Sequence, residues 1–145
     1  MPTLARAIAI AASAHEHQRD RAGQAYILHP LRLMFRMTTE EEMIVAVLHD
    51  LVEDTEWTIE SLREEGFSED ILFALDCLTK RHGEPYMALI ERAKQSPLAV
   101  RVKIADLEDN MNMTRLKRIH ALDTERLQRY HQAWRILQDF VQTSI

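Results

Sequence analysis

The scarcity of chain breakers constrains this chain more than any other feature. Three Gly and four Pro are spread over 145 residues. The stretches between them are rich in Ala, Leu, Glu, Arg and Met, residues that lose little rotamer freedom in a helix. The composition therefore predicts an all-α fold. A chain of 145 residues, 46% of them hydrophobic, can bury one core but is short for two ordinary domains. A single helical bundle over residues 1–145 is expected.

Patterning places the elements. Apolar residues crowd at helical spacing from Leu4 to Ala14 behind a Thr3 cap. His15 to Pro30, which contains Gly23, has no clear period and is expected to be a loop leading into a short helix from Leu31 to Met37. Thr39 followed by Glu42 has capping-box spacing and opens the apolar run Met43 to Leu48, which the pattern carries on through Leu51 and Val52. Thr58 and Ser68 cap two further helices separated by Gly66, and Ser96-Pro97 starts another that runs to about Met113. Leu127, Tyr130, Trp134, Leu137 and Val141 recur every three or four residues, so residues 123–142 form an amphipathic helix that either closes the core or joins a partner subunit as a homodimer.

Charge and cysteine content exclude several classes. A formal net charge of −5 argues against a general nucleic-acid binder, which needs a basic surface for phosphates. The single Cys77 lies among Ile71, Leu72, Ala74, Leu75 and Leu78 and reads as a buried, inert thiol. Met1 to Ala14 has neither a basic leader region nor a run long enough to span a bilayer. A cytoplasmic protein without a membrane partner is expected.

The chemistry concentrates where polar residues are least expected. His49-Asp50 closes the apolar run, and Glu53-Asp54 follow one turn later. On a continuous helix, at about 100° per residue, all four fall on one arc. The three carboxylates that share this arc with the imidazole repel one another unless a cation sits among them, although the dyad alone fits a solvated helix end equally well. Asp106 and Asn110 form a second pair at i,i+4 with Lys103 one turn before, and His29 precedes Pro30 at a loop-to-helix junction. His with Asp ligands suits a borderline transition metal.

These signals occur in an order that resembles a known family. Ala14-His15-Glu16-His17-Gln18 through Gly23, Tyr26-Ile27-Leu28-His29-Pro30, Leu48-His49-Asp50-Leu51-Val52-Glu53-Asp54-Thr55, Leu78-Thr79-Lys80 and Lys103-Ile104-Ala105-Asp106 with Asn110 are similar to the hydrolase domain of RelA/SpoT-type alarmone enzymes, over roughly residues 4 to 114. The resemblance implies a helical HD domain that binds manganese and removes pyrophosphate from the ribose 3′ position of guanosine tetra- or pentaphosphate. It implies His29, His49, Asp50 and Asp106 as metal ligands and Glu53 and Asp54 as the catalytic acidic pair. Asn110 matches a residue near the substrate ribose and phosphate; Lys103 and Arg21 are further substrate-binding candidates. The absence of a following synthetase domain makes a stand-alone hydrolase the expectation.

The chain departs from the family at Asp20, Arg21 and Ala22, at Ala25 before Tyr26, and at Leu107, Glu108 and Asp109 after Asp106. An HD hydrolase of another phosphorylated nucleotide or dinucleotide cofactor, and a non-catalytic nucleotide- or metal-binding module, are the alternatives. Intact Glu53 and Asp54 argue for an enzyme. His15 and Gln18 either support the site or make structural hydrogen bonds. His17, His82, His120 and His131 read as surface residues, and Arg115, Lys117 and Arg118 as a solvated helix end.

Overall fold

The computed structural model describes residues 1–144. Helices α1 (Leu4–Ala14), α2 (Leu28–Phe35), α3 (Glu40–Leu48), α4 (Leu51–Asp54), α5 (Ile59–Glu65), α6 (Glu69–Leu78), α7 (Tyr86–Ala93), α8 (Pro97–Asn110) and α9 (Ala121–Thr143) follow in order, with a 3-10 turn at Met113–Arg115. The only extended pairing among the described residues is an isolated bridge between Arg19 and Ala25. No helix among them is long and apolar enough to cross a membrane.

Local chemistry sets most helix starts. Thr3, Thr39, Thr58, Ser68 and Ser96 each accept a backbone N–H of the first turn, which satisfies one otherwise unpaired donor. Thr39 and Glu42 complete a reciprocal capping box. Gly66 ends α5 with φ 102°, a left-handed conformation that glycine adopts without Cβ strain. The open end of α6 is closed by Arg92, which donates to Asp76 O at 2.8 Å and Thr79 O at 2.7 Å while pairing with Glu84.

Helix α3 is the axis of the bundle. Ile44 to Leu48 have no solvent exposure, and α1, α2, α6 and α8 pack around them. The amphipathic stripe of α9 turns to its own chain: Ala133 and Leu137 bury against Ile90 and Leu107, with Tyr130 and Trp134 half-buried beside them, and Trp134 Nε1 donates to Glu108 at 3.0 Å.

Four boundaries differ from the sequence pattern. Helix α2 begins at Leu28 rather than Leu31, which brings His29 and Pro30 into its first turn, where proline's missing N–H is not needed. The apolar helix does not continue through Leu51: His49 and Asp50 form a turn, with Asp50 at φ −100° and ψ 1°, and α4 restarts after it. Helix α8 stops at Asn110, short of Met113. Helix α7 carries no strong cap in its sequence, starting behind Pro85, and the pattern did not show it.

Candidate metal centre

Four side chains from three helical segments converge at the centre of the bundle. His29 comes from the first turn of α2, His49 and Asp50 from the break after α3, and Asp106 from the buried side of α8. His29, His49 and Asp50 each present a donor atom within 4.8 Å of the others. Asp106 Oδ1 lies 2.9 Å from His29 Nε2 and 3.4 Å from His49 Nε2, while Asp50 Oδ2 is 3.0 Å from His49 Nε2. The break explains why two consecutive residues share one focus. On an uninterrupted helix their side chains would diverge by about 100°.

The tautomers follow from the opposite edges of the rings. His49 Nδ1 donates to Ala46 O at 2.7 Å, and His29 Nδ1 faces Asp109 Oδ2 at 2.6 Å. Each ring therefore turns Nε2 inward. His49 Nε2 is buried without a hydrogen-bond partner. Two acceptor-only carboxylates in one buried spot call for a positive charge, carried either by a proton on the imidazoles or by a cation among the four groups. Burial alone would lower the His49 pKa, but Asp50 and Asp106 outweigh it and hold it well above the ordinary histidine range. Burial likewise opposes Asp106 ionisation, yet the Lys103 ammonium and both imidazoles keep its pKa far below the usual carboxylate value. Two imidazoles and two carboxylates suit a divalent cation with coordination positions left open, so the residues present fit a metal.

Neighbouring groups fix the carboxylates. Lys103 Nζ donates to Asp106 Oδ2 at 2.9 Å and Asn110 Nδ2 to Asp106 Oδ1 at 3.1 Å. The Tyr26 hydroxyl donates to Asp50 Oδ2. Glu53 and Asp54 stand on the exposed side, close enough to Asp50 for the three carboxylates to form a second cluster. Glu53 Oε1 accepts Lys80 N–H at 2.7 Å. Partial burial, then Asp50 and Glu53, push Asp54 up to about 6. His15 and Gln18 sit beneath this edge: His15 Nδ1 lies 2.8 Å from Gln18 Oε1, and Gln18 Nε2 donates to Asp54 O at 3.1 Å.

A cavity of about 300 Å³ opens beside the cluster, with His29, Asp50 and Asn110 on one wall. Five arginines line it: Arg19, Arg21, Arg32, Arg115 and Arg126. Arg21 is thus at the cavity, paired with Asp123 of α9. Lys103 is not among the lining residues; its head is buried on Asp106 beneath the Tyr86 ring rather than in water. Arg115 is also no solvated helix end, since it donates to Asp109 O at 2.9 Å and faces the cavity. Sequence reasoning missed Asp109, Arg32 and Arg126. The i,i+3 spacing of His29 and Arg32 was the one signal that could have found any of them.

Paired imidazoles and carboxylates at the heart of a helical bundle define the class of HD-type domains. No family model matches the sequence. The chain is 30% identical over 120 residues to guanosine-3′,5′-bis(diphosphate) 3′-pyrophosphohydrolase of Aquifex aeolicus, covering 74% of this chain and 17% of the relative. It is 33% identical over 126 residues to a probable GTP pyrophosphokinase of Mycobacterium leprae, covering 76% and 16%. The chain thus spans about one sixth of the length of these curated relatives. A solved structure of a metazoan ortholog of SpoT, described as hydrolysing ppGpp, superposes with a TM-score of 0.73 over 97% of this chain and 86% of that one, at 24% identity. The chain is an HD-type, alarmone-hydrolase-like domain related to the RelA/SpoT enzymes.

Proposed function

We propose that this chain is a manganese-dependent hydrolase that removes pyrophosphate from the 3′ position of guanosine tetra- or pentaphosphate. The observation that carries the reading is the convergence of His29 Nε2, His49 Nε2, Asp50 Oδ2 and Asp106 Oδ1 at the edge of an arginine-lined cavity. These four residues would hold the metal. When bound, it would polarise a phosphate oxygen and make water a competent nucleophile near neutral pH.

The chain's own residues supply the rest. Lys103 and Asn110 fix the Asp106 carboxylate, and the Tyr26 hydroxyl fixes Asp50. Glu53, anchored by the Lys80 N–H, takes the proton of the attacking water, and Asp54 beside it orients that water. The cavity guanidiniums offset its four carboxylates, Asp20, Asp50, Asp109 and Asp123, and give a chain of net charge −5 donors for a polyphosphate; Arg19 and Arg126 are the two with no carboxylate partner among the ion pairs of the described residues. Asn110 and Arg21 sit on its wall as substrate contacts.

A second substrate, another phosphorylated nucleotide or a dinucleotide, is favoured by one observation. In the 19–25 turn, Asp20 Oδ1 is consumed by the Ala22 and Gln24 N–H groups and Arg21 is drawn to Asp123. That segment therefore offers a different surface from the basic and serine residues of the family pattern.

The test is incubation of the purified protein with guanosine tetraphosphate and manganese, with a chelated control and products separated by ion exchange. Guanosine diphosphate and pyrophosphate are expected only with metal. Manganese binding without product would reject the substrate, and a panel of phosphorylated nucleotides would then decide between the readings.

A further inference from the structure

The two imidazoles at the centre are oriented by different means. His49 finds its acceptor three residues back on its own helix, at Ala46 O. His29 does not repeat that arrangement: Tyr26 O, the carbonyl three residues back, accepts only its backbone N–H, at 3.0 Å, and the ring turns away to Asp109. That acceptor belongs to another element, α8, 80 residues away. The Asp109 side chain is only 9% exposed. Arg32 holds it through Nε to Oδ1 and Nη2 to Oδ2, both at 2.9 Å, and Arg115 donates to Oδ2 at 3.4 Å from the 3-10 turn.

We propose that Asp109 is a positioning residue of the metal centre: it accepts the His29 Nδ1 proton, so that His29 Nε2 is presented to a divalent cation. This rests on the metal-binding reading above. The groups around both edges of the ring agree on it. The carboxylate is an acceptor only, so the proton between it and the ring belongs to Nδ1. Arg32 and Arg115 are donors only, so they fix the carboxylate without competing for that proton. Asp106 Oδ1 and Asp50 Oδ2 lie 2.9 and 3.9 Å from the opposite nitrogen, where the cation would join them. A carboxylate on the far side of a ligating imidazole fixes its tautomer and makes it a stronger donor, and removing such a partner typically lowers metal affinity 10–100-fold. The competing explanation is that Asp109 only knits α2 to α8 through the arginines.

The experiment is manganese titration, competed by a fluorescent chelator, of the wild type, Asp109→Ala and Asp109→Asn, with the thermal midpoint of each metal-free protein measured alongside. The positioning role predicts a loss of about 10–100-fold in affinity for Asp109→Ala and substantial recovery in Asp109→Asn, which keeps an oxygen acceptor. Unchanged affinity in both variants, whatever their stability, would overturn it. Should neither variant fold, the zinc-loaded wild type still decides. Long-range proton–nitrogen spectra are expected to show His29 protonated at Nδ1 and metal-bound at Nε2; an unprotonated Nδ1 overturns the inference. A wild type that retains neither metal would reject the metal centre itself, a result distinct from intact binding that ignores Asp109.

Discussion

Asp106 is held by Lys103 at Oδ2 and by Asn110 at Oδ1, with the His29 and His49 Nε2 atoms beside Oδ1, and both the Lys103 pairing and any cation there depend on its charge. Asp106→Asn keeps the shape but removes the charge. It is expected to lose metal retention, read by elemental analysis after desalting, and to reduce turnover to the chelated background. Glu53→Gln makes the contrasting case, since Glu53 contacts solvent and the Lys80 N–H rather than the imidazoles. It should retain metal while kcat falls about 10²–10⁴-fold, the range for loss of a general base. Full activity in that variant would remove Glu53 from the mechanism. The separate members of the centre were legible because His49 and Asp50 interrupt an apolar run and Asp106 borders one. Their convergence was not, because no spacing rule links positions 29, 49 and 106. Asp109 was harder still: locally it is one more acid in a charged helix end, and its meaning comes from a ring on α2.

At the scale of elements, the helices whose starts are set by adjacent residues were readable and those set by tertiary contacts were not. Thr39, Thr58, Ser68 and Ser96 act within three residues of themselves. Thr39→Ala should destabilise the protein by about 1 kcal/mol in urea unfolding, with no change in metal affinity. The break after α3 and the early start of α2 depend on how buried neighbours pack, and α7 is placed partly by Arg92, which reaches from it to the carbonyls at the end of α6. The Arg92 hydrogen bonds, with help from the Arg81 N–H, depress the Glu84 pKa to about 2. A carboxylate whose folded pKa lies below its unfolded value contributes stability above the unfolded value, near 4.3, and loses that contribution as pH falls toward 2. Wild type should therefore lose stability between about pH 5 and 2 more steeply than Glu84→Gln. Parallel curves for the two proteins would mean that the pair contributes nothing measurable.

For the whole molecule, the all-helical class followed from composition, and the apolar runs marked the core helices. The closure of α9 onto Ile90 and Leu107 was left open by its stripe, since an amphipathic face does not say whose surface it covers. The proposed metal binding belongs to this scale, because the four candidate ligands come from elements far apart in the chain. Metal in thousand-fold excess over its dissociation constant stabilises by about 4 kcal/mol, which for a protein of this size raises the thermal midpoint on the order of 10 °C. Calorimetry with and without manganese reads that shift, and an unmoved midpoint would argue that the four residues hold no ion. The burial of α3 has a further consequence. His49 and Asp50 are attached to the most enclosed stretch of the chain, whereas the 19–22 turn and the 3-10 turn, which form part of the cavity rim, are exposed or half-buried. Heritable change at the rim can therefore explore new ligands with little penalty in folding, while change at the reactive end is tied to the survival of the whole bundle. In such an architecture the buried polar centre is conservative and the identity of what the cavity holds is free to drift.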